Sequence, residues 1–233
     1  MTTLSTPNPR AKALSWSELS IWEQDPTKHY RMYVQGISDP STPQQELGSI
    51  VHKTIESPNY PWLKEMVSKS RPRHEQVIVR KLLDKIEGKR PKESEVFTVA
   101  QTPEGIPLLA IFDGLDKQDR ILYEYKTSSG SYWNQKTVDR HGQLTFYAYI
   151  YRLTFHQYFK EIQLHRLHTK TGTVKSFYTA RGPMDLIEIH GRIKRCYDQL
   201  NAQGLWTLRK SKKERLKESQ TMLPLSVVVP TTN

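Results

Sequence analysis

Residues 112–128 read FDGLDKQDRILYEYKTS, and the fold turns on how this stretch is read. Ahead of it, Ile106 to Phe112 is a short apolar run of the kind buried in sheets. DKQD at 116–119 is turn chemistry, and Arg120 to Thr127 alternates as a strand. Side chains on a strand point to opposite faces in turn, so Glu124 and Lys126 share one face while Tyr123 and Tyr125 share the other. Asp113 sits at the end of the preceding strand, and pairing of the two strands brings its carboxylate beside Glu124. Two carboxylates at one spot repel each other, which favours a bound cation. Oxygen ligands suit Mg²⁺, an ion that takes few protein ligands and keeps several waters. Such an ion activates water and offsets the charge that grows on a phosphate. Lys126 is placed to orient that water or to neutralise the phosphate. The parts suit phosphodiester hydrolysis. An acid, a spacer and a lysine on a strand also make an ordinary exposed ion pair, so the flanking segments carry weight.

Working outward, Glu95 to Gln101 reads as a strand before a TPEG turn, which completes a three-strand meander. Upstream, Ser15 or Ser17 caps a short helix ending at Pro26. Thr42 and Pro43 open a second helix with Leu47, Ile50, Val51 and Ile55 at helical spacing, broken by Pro58 and Pro61. Arg73 to Glu87 reads as a third helix, with Gly88 as its C-cap. Downstream come a helix from about Val138 to Leu153, a hairpin of Lys160–His168 and Thr173–Thr179 around Gly172, and a long helix from Pro183 to near Gly204. This order implies an α/β domain with a mixed central sheet flanked by helices.

The two neighbouring helices carry polar side chains of interest. In GSIVHKTIE (48–56), His52 lies off the apolar stripe and Gly48 sits one turn before it on the same face. Glycine costs helix stability, so its presence points to a close approach there. In HGQLTFYAYIYR (141–152), Gln143 and Tyr147 are i,i+4 neighbours on one face, which reads either as ordinary packing or as contacts to phosphate and base. His165 and His168 lie three apart on one strand and face opposite ways, a poor metal pair.

Composition sets the partner. Thirty-five Lys and Arg against 24 Asp and Glu give a net charge of +11, which attracts polyanions. RKSKKERLK (209–217) reads either as a solvated face or as phosphate contacts through Arg209, Lys210, Lys212 and Lys213. Tyr132 and Trp133 follow the acid-and-lysine strand, where they either cap the core or stack on a base. The single cysteine, Cys196, excludes an intramolecular disulfide, a Cys-rich zinc site and a four-cysteine iron–sulfur cluster, and suits a reducing cytoplasm. No apolar run approaches the roughly 20 residues that span a bilayer, and the first 16 residues lack a secretory h-region. The expected organisation is a flexible arm over 1–13, one domain over 14–205 and a basic extension over 206–233.

These pieces together resemble RecB-like nucleases of the PD-(D/E)XK superfamily, which also holds Cas4-like enzymes. LSWSELSIWEQDP, GSIVHKTIE, Glu95, FDGLD, EYKT and QLTFYAYIY occur in the family's order over roughly residues 14–151. The resemblance implies a restriction-endonuclease-like core and Mg²⁺ or Mn²⁺ held by His52, Asp113, Glu124 and the Tyr125 carbonyl. It makes Lys126 the catalytic lysine and Glu95 an accessory acid, and it casts Gln143 and Tyr147 as the Q-x-x-x-Y element. Where relatives place the first cysteine of an iron–sulfur staple this chain has Asp25, which implies a member without the cluster. No GxxxxGK[ST] motif occurs, so a helicase or recombination protein would be a separate chain. The expected activity is DNA hydrolysis, by an exonuclease of repair, recombination or phage DNA processing. The rival readings are a non-catalytic DNA-binding module and an accessory subunit that keep the same fold.

Overall fold

A computed structural model describes residues 13–130 and 132–210. Lys212, Lys213 and most of the expected arm and extension lie outside the described residues. Strand β1 (Leu14–Ser15) leads into α1 (Trp16–Gln24), which Ser15 rather than Ser17 caps by accepting the Glu18 N–H. α2 (Pro26–His29) runs on into a π-helical turn, Tyr30–Gln35. α3 (Pro43–Glu56) opens on a capping box between Thr42 and Gln45, with Pro43 in the first turn. α4 (Trp62–Ser68) and α5 (Arg73–Ile86) follow.

The sheet is mixed, as expected, and has six strands among the described residues. β2 (Glu93–Gln101), β3 (Pro107–Asp116) and β4 (Ile121–Ser128) form the antiparallel meander. α6 (Gln135–Asp139) and α7 (Gly142–Phe155) cross over to β5 (Glu161–His168), which pairs β4 in parallel over its length. β6 (Thr173–Thr179) closes a hairpin with β5 through Gly172 at φ +66°. α8 (Pro183–Ala202) is the last long helix among the described residues. No helix is long and apolar enough to cross a membrane among the described residues.

One topological detail positions the site. β2 lines one edge of β3 along nearly its whole length. The other edge is divided: β1 pairs in parallel at Leu108 and Leu109, and β4 pairs only at Gly114, Leu115 and Asp116. Beyond Gly114 and Tyr123 the two strands part, so the meander opens into a fork. Asp113 stands on one arm and Glu124 to Lys126 on the other.

Two apolar layers sandwich the sheet. One combines α7 and α8 with Phe112, Leu122, Ile162 and Leu164 from the strands. The other combines α3 and α5 with Tyr125 and Leu167. The alternation along β4 therefore sends Glu124 and Lys126 toward α7, and Tyr125 and Thr127 toward α3.

Packing also continues past residue 205, where the sequence suggested that a basic extension begins. Trp206–Leu208 forms a 3₁₀ turn, and Trp206 packs on the first layer. Arg209 is buried, donates to Glu18 Oε1 at 2.8 Å and stacks on Trp206 at 3.5 Å. Glu18 also meets His29 Nε2 at 3.1 Å, which ties α1, α2 and the chain's last described residues together. Lys210 donates through its backbone to Tyr33 and through Nζ to the Gln35 carbonyl.

Candidate active site

The fork gathers the expected acids. Asp113 Oδ2 accepts the Tyr125 backbone N–H at 2.9 Å, a bond from one arm to the other where ladder pairing has stopped. His52 Nδ1 approaches the same oxygen at 3.6 Å. Gly48 makes this approach feasible. A Cβ built there would lie 2.7 Å from Thr127 Oγ1, so glycine lets α3 rest this close to β4 without displacing that side chain. That contact sits one turn before His52 on the helix.

On the α7 side of β4, Lys126 Nζ meets Glu124 Oε1 at 2.6 Å and donates to Gln143 Oε1 at 2.8 Å. Gln143 Nε2 donates to the Tyr147 hydroxyl at 2.9 Å. A chain of polar contacts thus runs from Glu124 through Lys126 and Gln143 to Tyr147. Of the two readings the sequence leaves for Gln143 and Tyr147, packing or contact with phosphate and base, the structure shows both leaning on the lysine.

The electrostatics follow from burial. Glu124 is fully buried, and desolvation together with the Asp113 charge pushes it up to about 7, against the pull of Lys126. Its Oε2 has no hydrogen-bond partner among the described residues. Desolvation alone would raise Asp113, but His52, Lys126 and the Tyr125 N–H outweigh it and hold the carboxyl below its ordinary range. Desolvation alone would lower His52, and Asp113 overrides it to raise the imidazole. Lys126 is likewise raised, because Glu124 and Asp113 overcome its desolvation.

Glu95 occupies the β2 position opposite Asp113. The ladder pairs Ser94 with Gly114 and Val96 with Phe112 but is interrupted between them, and Glu95 adopts φ +48°. A non-glycine residue in the left-handed region is strained, and such strain concentrates at functional sites. Glu56 joins this group, one turn after His52 on α3. Burial and the neighbouring Glu95 push it up to about 7. The sequence reading passed over Glu56, although its i,i+4 spacing from His52 in GSIVHKTIE was the available signal.

The donor set fits a hard divalent ion. Asp113 and Glu124 repel each other, and one Glu124 oxygen is buried without a partner. No three His, Cys, Asp or Glu side chains already converge as a cage among the described residues.

Other expected residues lie apart from the fork. Trp133 is half-buried against His141 at a ring distance of 5.0 Å, and Tyr132 beside it is 68% exposed. His141 borders Lys126, and burial, helped by Lys126 and Arg181, drives it down to about 4. Arg209 is committed to Glu18 and Trp206, which removes it from the expected phosphate contacts: an ion-paired, desolvated guanidinium faces no ligand. His165 is buried and stacks on Tyr125.

The chain matches the model of the PD-(D/E)XK nuclease superfamily over residues 13–218. A comparison with curated proteins yields no match. Among solved structures, it is similar to the crystal structure of an inferred exonuclease from Eubacterium rectale, at 12% identity and a TM-score of 0.61, covering 99% of this chain and 96% of the other. An alkaline exonuclease from Laribacter hongkongensis also matches, at 12% identity and a TM-score of 0.38, covering 92% and 96% of the two chains. With the family model spanning the fork and both helices that serve it, the chain belongs to the PD-(D/E)XK nuclease superfamily.

Proposed function

We propose that the protein is a divalent-metal-dependent deoxyribonuclease of the RecB-like branch, acting as an exonuclease in DNA repair, recombination or phage DNA processing. The observation that carries this reading is the fork itself. Asp113, Glu124 and Lys126 meet where β3 and β4 part, and His52 closes the site from α3. A net charge of +11 supplies the attraction for a polyanion.

His52, Asp113, Glu124 and the Tyr125 carbonyl would hold Mg²⁺ or Mn²⁺, the imidazole making Mn²⁺ an effective substitute. Held there, such an ion would supply Lewis acidity for water activation and for the charge on the phosphate. Asp113 is held ionised by His52, Lys126 and the Tyr125 N–H, so it is ready to ligate at neutral pH. Lys126 keeps its proton and carries the positive charge that meets the phosphate as it gains negative charge. Gln143 fixes the ammonium's direction, and Tyr147 fixes the Gln143 amide. Glu95 and Glu56 add negative charge beside the ion. Trp133 and Tyr132 offer a stacking surface, and Lys210, Lys212 and Lys213 add positive charge for the DNA backbone. The single cysteine suits a reducing cytoplasm, and any motor would be a separate helicase or recombination partner.

Cleavage of end-labelled linear and covalently closed DNA tests the reading. Linear DNA is expected to be degraded with Mg²⁺ or Mn²⁺, closed circles to be spared, and EDTA to stop the reaction. Equal attack on closed circles would remove the exonuclease assignment, and robust cutting in EDTA would remove the metal.

A further inference from the structure

Beside the fork stands a cation that the site's chemistry does not use. Arg166 is the β5 residue in register with Lys126 of β4. Paired positions of parallel strands project to the same face, about 4.8 Å apart, so the guanidinium arises beside the Lys126 side chain. Its setting differs from that of the ion-paired arginines. Arg31, Arg71, Arg90, Arg192 and Arg209 each meet a carboxylate. Arg166 meets only neutral acceptors: Nε donates to Ser128 Oγ at 3.0 Å and Nη2 to the Gly130 carbonyl. Among the described residues Arg181 also has only neutral acceptors, but it is buried and engages all three of its nitrogens, and Arg152 donates to the His156 carbonyl over the Tyr158 ring, at the far end of α7 from Gln143. Arg166 is partly exposed, and its Nη1 makes no hydrogen bond among the described residues. The charge of Lys126 is answered by Glu124 and Asp113, and among the described residues no carboxylate pairs with Arg166. Ser128 and Gly130 hold the guanidinium fork still with a donor edge left over. A guanidinium binds phosphate through just such an edge.

We propose that Arg166 clamps a backbone phosphate of the bound strand, next to the one cleaved at the fork, and so sets the strand's register on the sheet. This rests on the nuclease reading above. A tethered cation with no carboxylate partner among the described residues borders the catalytic lysine on the face along which the strand would lie.

The test is DNA binding by the full chain in EDTA, read by fluorescence anisotropy of a single-stranded oligodeoxynucleotide over a salt series. Wild type is expected to show log affinity falling linearly with log salt. Arg166→Gln should lower that slope by about 0.7, the loss of one single-strand phosphate contact. With metal restored, it should raise KM and leave kcat at saturating DNA near wild type. Ser128→Ala removes a tether but keeps the charge, and Arg166→Lys keeps the charge without the fork, so both should retain the slope. An unchanged slope in a folded Arg166→Gln variant overturns the proposal. So does an equal loss in Ser128→Ala, which would make Arg166 a loop tether. If Arg166→Gln does not fold, a folded Arg166→Lys variant decides: a retained slope supports the clamp and a lost one overturns it. Failure of wild type to bind DNA or to cut it with metal would instead overturn the nuclease reading itself.

Discussion

Gly48→Ala places a methyl group at the contact between α3 and β4. The added Cβ would lie 2.7 Å from Thr127 Oγ1, well inside van der Waals contact, while the next atom, Thr127 Cβ, is a comfortable 3.8 Å away. Threonine is β-branched and stiff at χ1, so its hydroxyl does not swing aside cheaply. Overpacking of this kind costs about 1–3 kcal/mol. Alanine also gains about 1 kcal/mol of helix propensity over glycine in mid-helix. The net loss expected in urea denaturation of the metal-free protein is therefore about 0–2 kcal/mol, too small a number to decide the matter alone. The double variant Gly48→Ala/Thr127→Ala resolves it, since it removes the colliding oxygen and keeps the propensity gain. It should be more stable than the sum of the single changes by about 1–3 kcal/mol. The same collision acts on function, because His52 follows one turn later on α3 and would be lifted from Asp113. The metal concentration for half-maximal activity is expected to rise about tenfold in Gly48→Ala, equivalent to about 1.4 kcal/mol, and to recover in the double variant. Additivity within about 0.5 kcal/mol, or a Gly48→Ala protein more stable than wild type with unchanged metal demand, would refute the reasoning.

Lys126→Ala should cut turnover by about 10²–10⁴ while calorimetric metal binding persists, since one positioned group is removed and the ligands remain; wild-type turnover would reduce Lys126 to a charge on the strand. His141 is held near 4 in the folded chain against about 6.5 when unfolded, so between these values the unfolded chain takes up a proton that the folded chain declines. Its stabilisation is full above about pH 6.5 and is lost as pH falls through that window, by up to about 3 kcal/mol. His141→Asn should flatten this dependence in urea titrations, and an unaltered pH profile would count against it. Arg209→Ala should lower Tm strongly, with about 3–5 kcal/mol lost because Glu18 is left buried, and should leave the salt slope of DNA binding unchanged. A changed slope at unchanged Tm would restore Arg209 to the DNA surface.

Much of this was legible in the sequence because it depends on local periodicity. The alternation in ILYEYKTS placed Glu124 and Lys126 on one face, and Thr42–Pro43 marked the start of α3 to the residue. Gly48 signalled a close approach, although nothing local could name Thr127 as the neighbour. What escaped depends on long-range geometry. β1 is two residues long and exists only because β3 offers it an edge. The divided edge of β3, and hence the fork, follows from where β1 and β4 compete for it. Arg209 read as one cation in a basic run, and its burial depends on Glu18, 191 residues away. Gln143 and Tyr147 shared a helix face as expected, but that they lean on Lys126 required the crossover from β4 through α7.

The most direct test of the central claim is a cleavage time course on end-labelled linear DNA with Mg²⁺, comparing wild type with Asp113→Ala. Asp113 stands on β3 and bonds both the β4 backbone and His52, so its loss should unmake the metal site without removing a core side chain. Wild type should degrade the DNA progressively, and a folded Asp113→Ala protein should not. Undiminished cleavage by that variant would contradict the claim.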